Sequence, residues 1–287
     1  MVYLYAHTNH KEDLDSLRRV KVIYDALKKE GIEAEILVNE YRAQLLGKEW
    51  GLPPATTIET IKDIDAVAEI DDIVLIDSNE ELEGKVLNYP EYFKKVIYIN
   101  SSCENIDYSG AKVIDLFINN QVIAPKIEQK EDNQKAIFIY GDSDFEKRVL
   151  ENLDKFSNLD IDIDFYWGIY FFVKYEDIIK KSFNYIVESE DYYEILQNYN
   201  IIVTSNAQVA IDALINRKSV YFLNLKKTKE CLIKLIQQNG AKVINNSDDI
   251  KLTTISLKDE VNLTDISSLI TTIINDYMWN NSTYNLN

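Results

Sequence analysis

Two stretches of this sequence carry side chains able to do chemistry where a strand ends. The first follows the apolar run at residues 2–6. Its polar continuation, HTNHKEDLDS, holds the only two histidines of the chain, His7 and His10, with Asp13 and Asp15 close behind. Imidazole titrates near pH 6.5 and accepts a proton at neutral pH, so His10 or His7 is a candidate general base. Asp13 is a candidate carboxylate to orient it. The second stretch is IIVTSNAQVAIDALINRKSVYF, residues 201–222. It reads as a buried strand, a polar turn at Ser205, Asn206 and Ala207, a helix from about 208 to 216 and a further strand from 219. Unpaired N–H groups and the positive end of a helix dipole meet at such a junction, which suits an anion. Ser205, Asn206, Ala207 and Gln208 are candidate ligand contacts. Asp212 is a candidate acceptor for the two hydroxyls of a ribose, although the helix dipole alone also favours an acid early in a helix.

A third segment, IFIYGDSDFEKRVLENL, repeats the strand–turn–helix design. Gly141 permits a tight turn, and Ser143 with Glu146 has the spacing of a capping box at the start of a helix over 144–156. Gly141, Asp142 and Ser143 are candidate phosphate contacts, with Asp142 and Asp144 adding negative charge nearby. The sequence has no GxGxxG after a strand, no GKS or GKT phosphate loop, no HExxH and no GxSxG, which argues against dinucleotide redox, P-loop, zincin and serine-hydrolase chemistry. No metal cluster and no cofactor are expected.

The elements that must hold these residues alternate between strand and helix. Strands are predicted at 2–6, 33–38, 73–77, 96–99 and 113–117, with a helix over 14–30. Residues 118–135 break the rhythm with Asn119, Asn120, Pro125 and the charged run KIEQKEDNQK. A second series follows: strands at 136–140, 161–167, 185–187, 201–204, 220–223 and 242–244, and helices at 144–156, 191–199, 208–216, 229–239 and 265–278. This pattern predicts an α/β chain of two Rossmann-like domains with mostly parallel sheets, facing a cleft. The expected division is a domain over 1–120 carrying the candidate catalytic loop, a linker over 121–135, and a nucleotide-binding domain over 136–287 whose last helix can pack back on the first. The 287 residues, 46% of them hydrophobic, suffice for two cores. A net charge of −17 argues against nucleic acid and anionic membranes as partners. Nothing approaches ~18 consecutive apolar residues, so no membrane span is expected. Cys103 and Cys231 read as free thiols, and with no signal peptide evident the expected location is cytoplasmic.

Together these pieces resemble the two-domain glycosyltransferase-B arrangement, and more narrowly the nucleotide-sugar hydrolases of pseudaminic and related nonulosonic acid biosynthesis. YGDSD at 140–144 is similar to that family's Gly-Gly-Ser-Asp segment, and SNAQVAIDALINRKSV at 205–220 to its small-residue loop and acidic helix. There Asp212 stands where a Glu usually binds the ribose. RVKVIYDALKKEGIEAEILV at 19–38 resembles the helix and strand after the family's first loop, with Arg19 on its arginine. The family's Gly-His is replaced here by Asp15-Ser16, and the nucleotide-loop glycines by Asn206 and Gln208. The resemblance implies a UDP-sugar hydrolase of surface or flagellar glycan synthesis; since the family's His falls on Ser16, the base in this chain would be His10 or His7. Two alternatives stay open: a catalytically degenerate relative that binds a nucleotide-sugar or a protein, and a glycosyltransferase.

Overall fold

Val2–Ala6 (β1) is buried at every position, the signature of a parallel strand covered on both faces. In the computed structural model, which describes residues 1–11, 13–128, 135–156, 162–171, 173–189, 191–244 and 261–279, it lies in the middle of a six-stranded sheet. The chain continues through α1 (Asp15–Lys29), β2 (Ala34–Val38), α2 (Tyr41–Glu49), β3 (Thr56–Thr57), β4 (Ile73–Asp77), α3 (Tyr89–Tyr92), β5 (Lys95–Asn100), β6 (Lys112–Asp115) and β7 (Gln121–Val122). Every pairing in the sheet is parallel, in the order β3-β2-β1-β4-β5-β6. Helix α1 turns Leu17, Val20, Ile23 and Leu27 inward, the spacing of one helical face. It stops where Gly31 adopts φ +73°, a conformation that costs a residue with a Cβ.

A second sheet is wound the same way. Its elements are β8 (Ala136–Ile139), α4 (Arg148–Glu151), β9 (Ile163–Trp167), α5 (Glu176–Ile179), β10 (Ile186–Glu188), α6 (Tyr192–Asn198), β11 (Ile201–Thr204), α7 (Ala207–Ile215), β12 (Ser219–Leu223), α8 (Glu230–Gln238) and β13 (Lys242–Ile244). The order is β10-β9-β8-β11-β12-β13, again parallel throughout. Beneath it Phe138, Phe156, Phe165 and Phe183 pack ring against ring, with Phe138 and Phe183 stacked at 5.9 Å. Tyr166, Tyr192 and Tyr193 are buried. The chain then closes with β14 (Thr264–Asp265), parallel to β7, and α9 (Ser267–Trp279).

The chain divides into two compact units. Met1–Asn9, Leu14–Ala124 and Thr264–Asn287 make the first, and His10–Asp13 with Pro125–Leu263 make the second. Two features bear on the expected division, in which the last helix can pack back on the first domain. Helix α9 groups with the first unit, where it packs against α1, and the tetrapeptide after β1 groups with the second. Residues 121–122, expected in the linker, form β7, and 129–134 lie outside the described residues. Asn216 anchors the start of the second unit, its side chain bonding Pro125 O and Ile127 N. Neither Cys103 nor Cys231 is a free thiol; each is disulfide-bonded. That corrects the free-thiol expectation, which rested on the expected compartment and not on geometry. No helix among the described residues is long and apolar enough to cross a membrane.

Each sheet reverses its strand order once, between β1 and β4 in the first and between β8 and β11 in the second. The loops leaving such neighbouring strands diverge, and the crevice at their carboxyl ends is where open parallel sheets take ligands. In the first sheet that position is closed by charge pairing. Arg19 donates through Nε and Nη2 to the two oxygens of Asp77 at 2.7 and 2.8 Å, with both residues buried. Asp77 ends β4, and its carbonyl also accepts from His7 N–H at 3.0 Å. Asp77→Ala is expected to cost about 3–5 kcal/mol in urea unfolding, because it strands a buried guanidinium. A loss under about 1 kcal/mol would show that Arg19 is not held by this pair.

Candidate functional site

The second sheet's crevice is built from the turn after β8 and the turn after β11. Thr204, the last residue of β11, donates its hydroxyl to Ile139 O at 2.7 Å and accepts from Asn206 N–H at 3.0 Å, which ties the two strand ends together. Asn206 caps α7: its extended backbone precedes the first turn and its Oδ1 accepts from Val209 N–H at 3.0 Å, the usual service of an asparagine in that position. That leaves its Nδ2 pointing away from the helix. Gly141 follows Tyr140 with φ +133°. A Cβ there would overlap Asp13 Oδ1 and Lys226 Nζ, and one on Gly168, just past β9, would overlap the backbone oxygens of Gly141 and Asp142. Both glycines are therefore required by close approach.

What approaches is the carboxylate of Asp13. Its Oδ1 accepts from Asp142 N–H at 2.8 Å, and its Oδ2 accepts from Asn206 Nδ2 at 2.6 Å and from the Lys226 ammonium. Lys226 in turn lies over the Tyr140 ring, 4.5 Å from its centroid. Charge-assisted hydrogen bonds of this kind are each worth about 1.5–3 kcal/mol when partly sheltered. Two ring contacts lie nearby. Lys11 sits 4.9 Å from the centroid of Phe145 and His10 meets that ring edge-on at 6.4 Å. Phe145 is exposed, and a cation–π contact in such a place contributes about 0.5–1 kcal/mol.

The sequence-predicted residues thus separate into those the crevice uses and those it does not. Asp13, Gly141, Asp142 and Asn206 meet at one point, and Ala207 opens the helix beside them. Ser205 is fully buried and spends its hydroxyl on Leu223 O. Asp212 is the residue expected to take a ribose. It is 0% exposed, with Oδ1 accepting from Gln208 Nε2 at 2.9 Å and Oδ2 from Tyr192 OH at 2.7 Å, so in this arrangement it and Gln208 are internal. Arg19 is likewise consumed by Asp77. His7 is half-buried, its carbonyl accepting from Ser16 Oγ, and His10 is exposed. Asp13 orients neither histidine, because its oxygens are taken by Asp142, Asn206 and Lys226.

The capping-box reading of Ser143 and Glu146 is also corrected. The helix starts only at Arg148, after Lys147 in a left-handed conformation at φ 59°, and Glu146 pairs with Arg148. Asp144 does the capping, its Oδ2 accepting from Val149 N–H at 3.1 Å. Ser143 Oγ and Asp144 Oδ1 are buried, with residue exposures of 5% and 4%, and neither has a hydrogen-bond partner among the described residues. Burial pushes the Asp144 carboxyl up to about 6. Lys226 and Gly168 were not singled out from sequence. A glycine following one strand and a lysine cluster following another, at the same end of the sheet, were the available signals.

No protein-family model matches the sequence, and no curated protein matches it. Solved structures do. The UDP-GlcNAc 2-epimerase of Methanocaldococcus jannaschii, in complex with UDP-GlcNAc and UDP, is 14% identical, with 96% of this chain and 99% of that chain covered and a TM-score of 0.57. MurG of Acinetobacter baumannii is 11% identical over 96% and 99%, TM-score 0.53. The UDP-GlcNAc 2-epimerase of Neisseria meningitidis bound to UDP-GlcNAc is 11% identical over 98% and 100%, TM-score 0.50. Likeness at such identity defines the fold: α/β, with two Rossmann-like parallel sheets of the glycosyltransferase-B type.

The raised Asp144 carboxyl has a consequence for stability. Unfolded, an aspartate titrates near 3.8, so between about pH 4 and 6 the folded chain holds a proton that the unfolded chain has lost. Folding stability from this residue is present below pH 4 and declines as pH rises to about 6. Asp144→Asn keeps an acceptor for Val149 and is expected to gain about 1–2 kcal/mol on the native protein between pH 4 and 7, read by urea unfolding at each pH. A difference that does not change with pH would contradict the burial argument.

Proposed function

We propose that the protein binds and processes a nucleoside-diphosphate sugar, UDP-linked, with the diphosphate seated in the crevice of the second unit. One observation carries this reading: a backbone N–H, a side-chain amide and an ammonium converge on a pair of carboxylate oxygens over a close-approach glycine, at the switch point of a 3-2-1-4-5-6 parallel sheet. Donors arranged in this way at a strand-to-helix turn suit phosphate. The ligand class comes from the structural relatives, two of which hold UDP-GlcNAc, one together with UDP. In this reading the nucleoside lies beside Asn206 and Ala207, Ser143 Oγ supplies a further contact to the diphosphate, and the buried Asp212 positions Gln208 and Tyr192.

For the reaction, the sequence resemblance supports hydrolysis. Water attacks the anomeric carbon, whose bond to the phosphate oxygen breaks as UDP leaves, or the adjacent phosphorus, whose bond to the bridging oxygen breaks as UMP leaves and the sugar keeps a phosphate; in either route His10 takes the proton from water. Nonulosonic acid synthesis for surface or flagellar glycans is the setting that the resemblance implies. A second reading, binding without turnover, is favoured by one observation: Asp13 is committed to Asn206, Asp142 and Lys226, so it does not raise the basicity of an imidazole.

Calorimetry with UDP and UDP-GlcNAc, followed by assay of released UDP, tests both. Saturable UDP binding, with release that drops at least about 100-fold in His10→Ala, is expected of a general base. Binding without release selects the second reading, and no binding of either compound overturns the proposal.

A further inference from the structure

In the second unit a carboxylate occupies the position best suited to phosphate. The chain carries a net charge of −17, so anions are repelled at long range, and within the seat Asp13 itself supplies the negative charge. Its oxygens take the donors a phosphate would need: Asp142 N–H, Asn206 Nδ2 and Lys226 Nζ. A buried hydroxyl a few residues along the same turn, Ser143 Oγ, has no partner among the described residues. The donors nearest Gly141 are filled, while the Ser143 hydroxyl farther along the turn is unsatisfied, and an unsatisfied buried donor calls for an acceptor.

We infer that Asp13 is an internal competitor: its carboxylate fills the anion seat of the second unit, and a phosphoanion binds by displacing it. The inference rests on the reading of the seat as a diphosphate site. A tethered group competes as though present on the order of millimolar, and a seat filled nine times in ten by its own carboxylate weakens an entering anion about tenfold. A diphosphate overcomes this through its larger charge at Lys226 and its extra oxygens, one of which reaches Ser143. Displacement has a second effect. Asp13 lies three residues after His10, and its bonds to Asp142, Asn206 and Lys226 tie the turn that carries both to the seat. Arrival of the anion therefore breaks the Asp13 bonds next to the candidate base, which couples ligand binding to the setting of that turn.

The test is calorimetry with inorganic pyrophosphate on the full chain, which separates the seat from any nucleoside contact. Asp13→Asn and Asp13→Ala are each expected to bind pyrophosphate about tenfold or more tightly than the native protein. The gain should vanish when Lys226→Met is added. Pyrophosphate should also raise the melting temperature of both Asp13 variants more than that of the native chain. No gain in either variant, or a gain indifferent to Lys226, overturns the inference and leaves Asp13 as a structural counter-ion. The outcome also stands apart from the nucleotide reading. UDP bound by the native protein with no gain in the Asp13 variants would sink only the competitor. A pyrophosphate gain without UDP binding would sustain the competitor and remove the nucleotide.

Discussion

The second unit depends on one electrostatic arrangement: a negative charge held at the carboxyl end of β8 by a backbone N–H, an amide and an ammonium. Each part of the surrounding fold serves it. The parallel sheet aims the turns after β8 and β11 at the same point. Thr204 locks the two strand ends together, Asn206 caps α7 with its oxygen and gives its amide nitrogen to Asp13, and Gly141 and Gly168 remove side chains that would fill the space. Tyr140 lies under Lys226 and steadies the ammonium with its ring face. Without the charge at its centre these features would have no common purpose, and the lysine would face only the nearby acids.

The two sheets treat the same position differently. Both are wound in the same order, so both offer a crevice at the strand ends. In the first, the cation at that end is Arg19, and Asp77 at the end of β4 pairs with it from within the sheet. In the second, the cation is Lys226 and its partner comes from a tetrapeptide far away in sequence. A strand-terminal partner is fixed by the sheet itself, whereas a partner on a turn is held only by the bonds it makes. Equal topology thus gives one closed position and one exchangeable one.

Much of the architecture was legible from residue types. Strands such as β1, β4 and β11 were readable to the residue because parallel strands buried on both faces are short continuous apolar runs. Helix α7 was readable because its polar turn and buried face are local. The site was less legible. Asp212 looked available because its position early in a helix is a local fact, while its burial depends on Tyr192, twenty residues earlier in another helix. Ser143 and Glu146 had capping spacing, but Lys147 turns left-handed and postpones the helix, which pattern alone does not show. Lys226 and Gly168 acquire meaning only from the meeting of three strand ends, and Asp13 only from a contact 129 residues away in sequence.

Whether this point accepts phosphate in exchange for a carboxylate is tested most directly by a crystal structure of the protein grown with UDP. The diphosphate is expected to accept from Asp142 N–H and Lys226 Nζ, with the Asp13 side chain turned out of the seat. UDP bound elsewhere, or bound while Asp13 keeps all three donors, would contradict it.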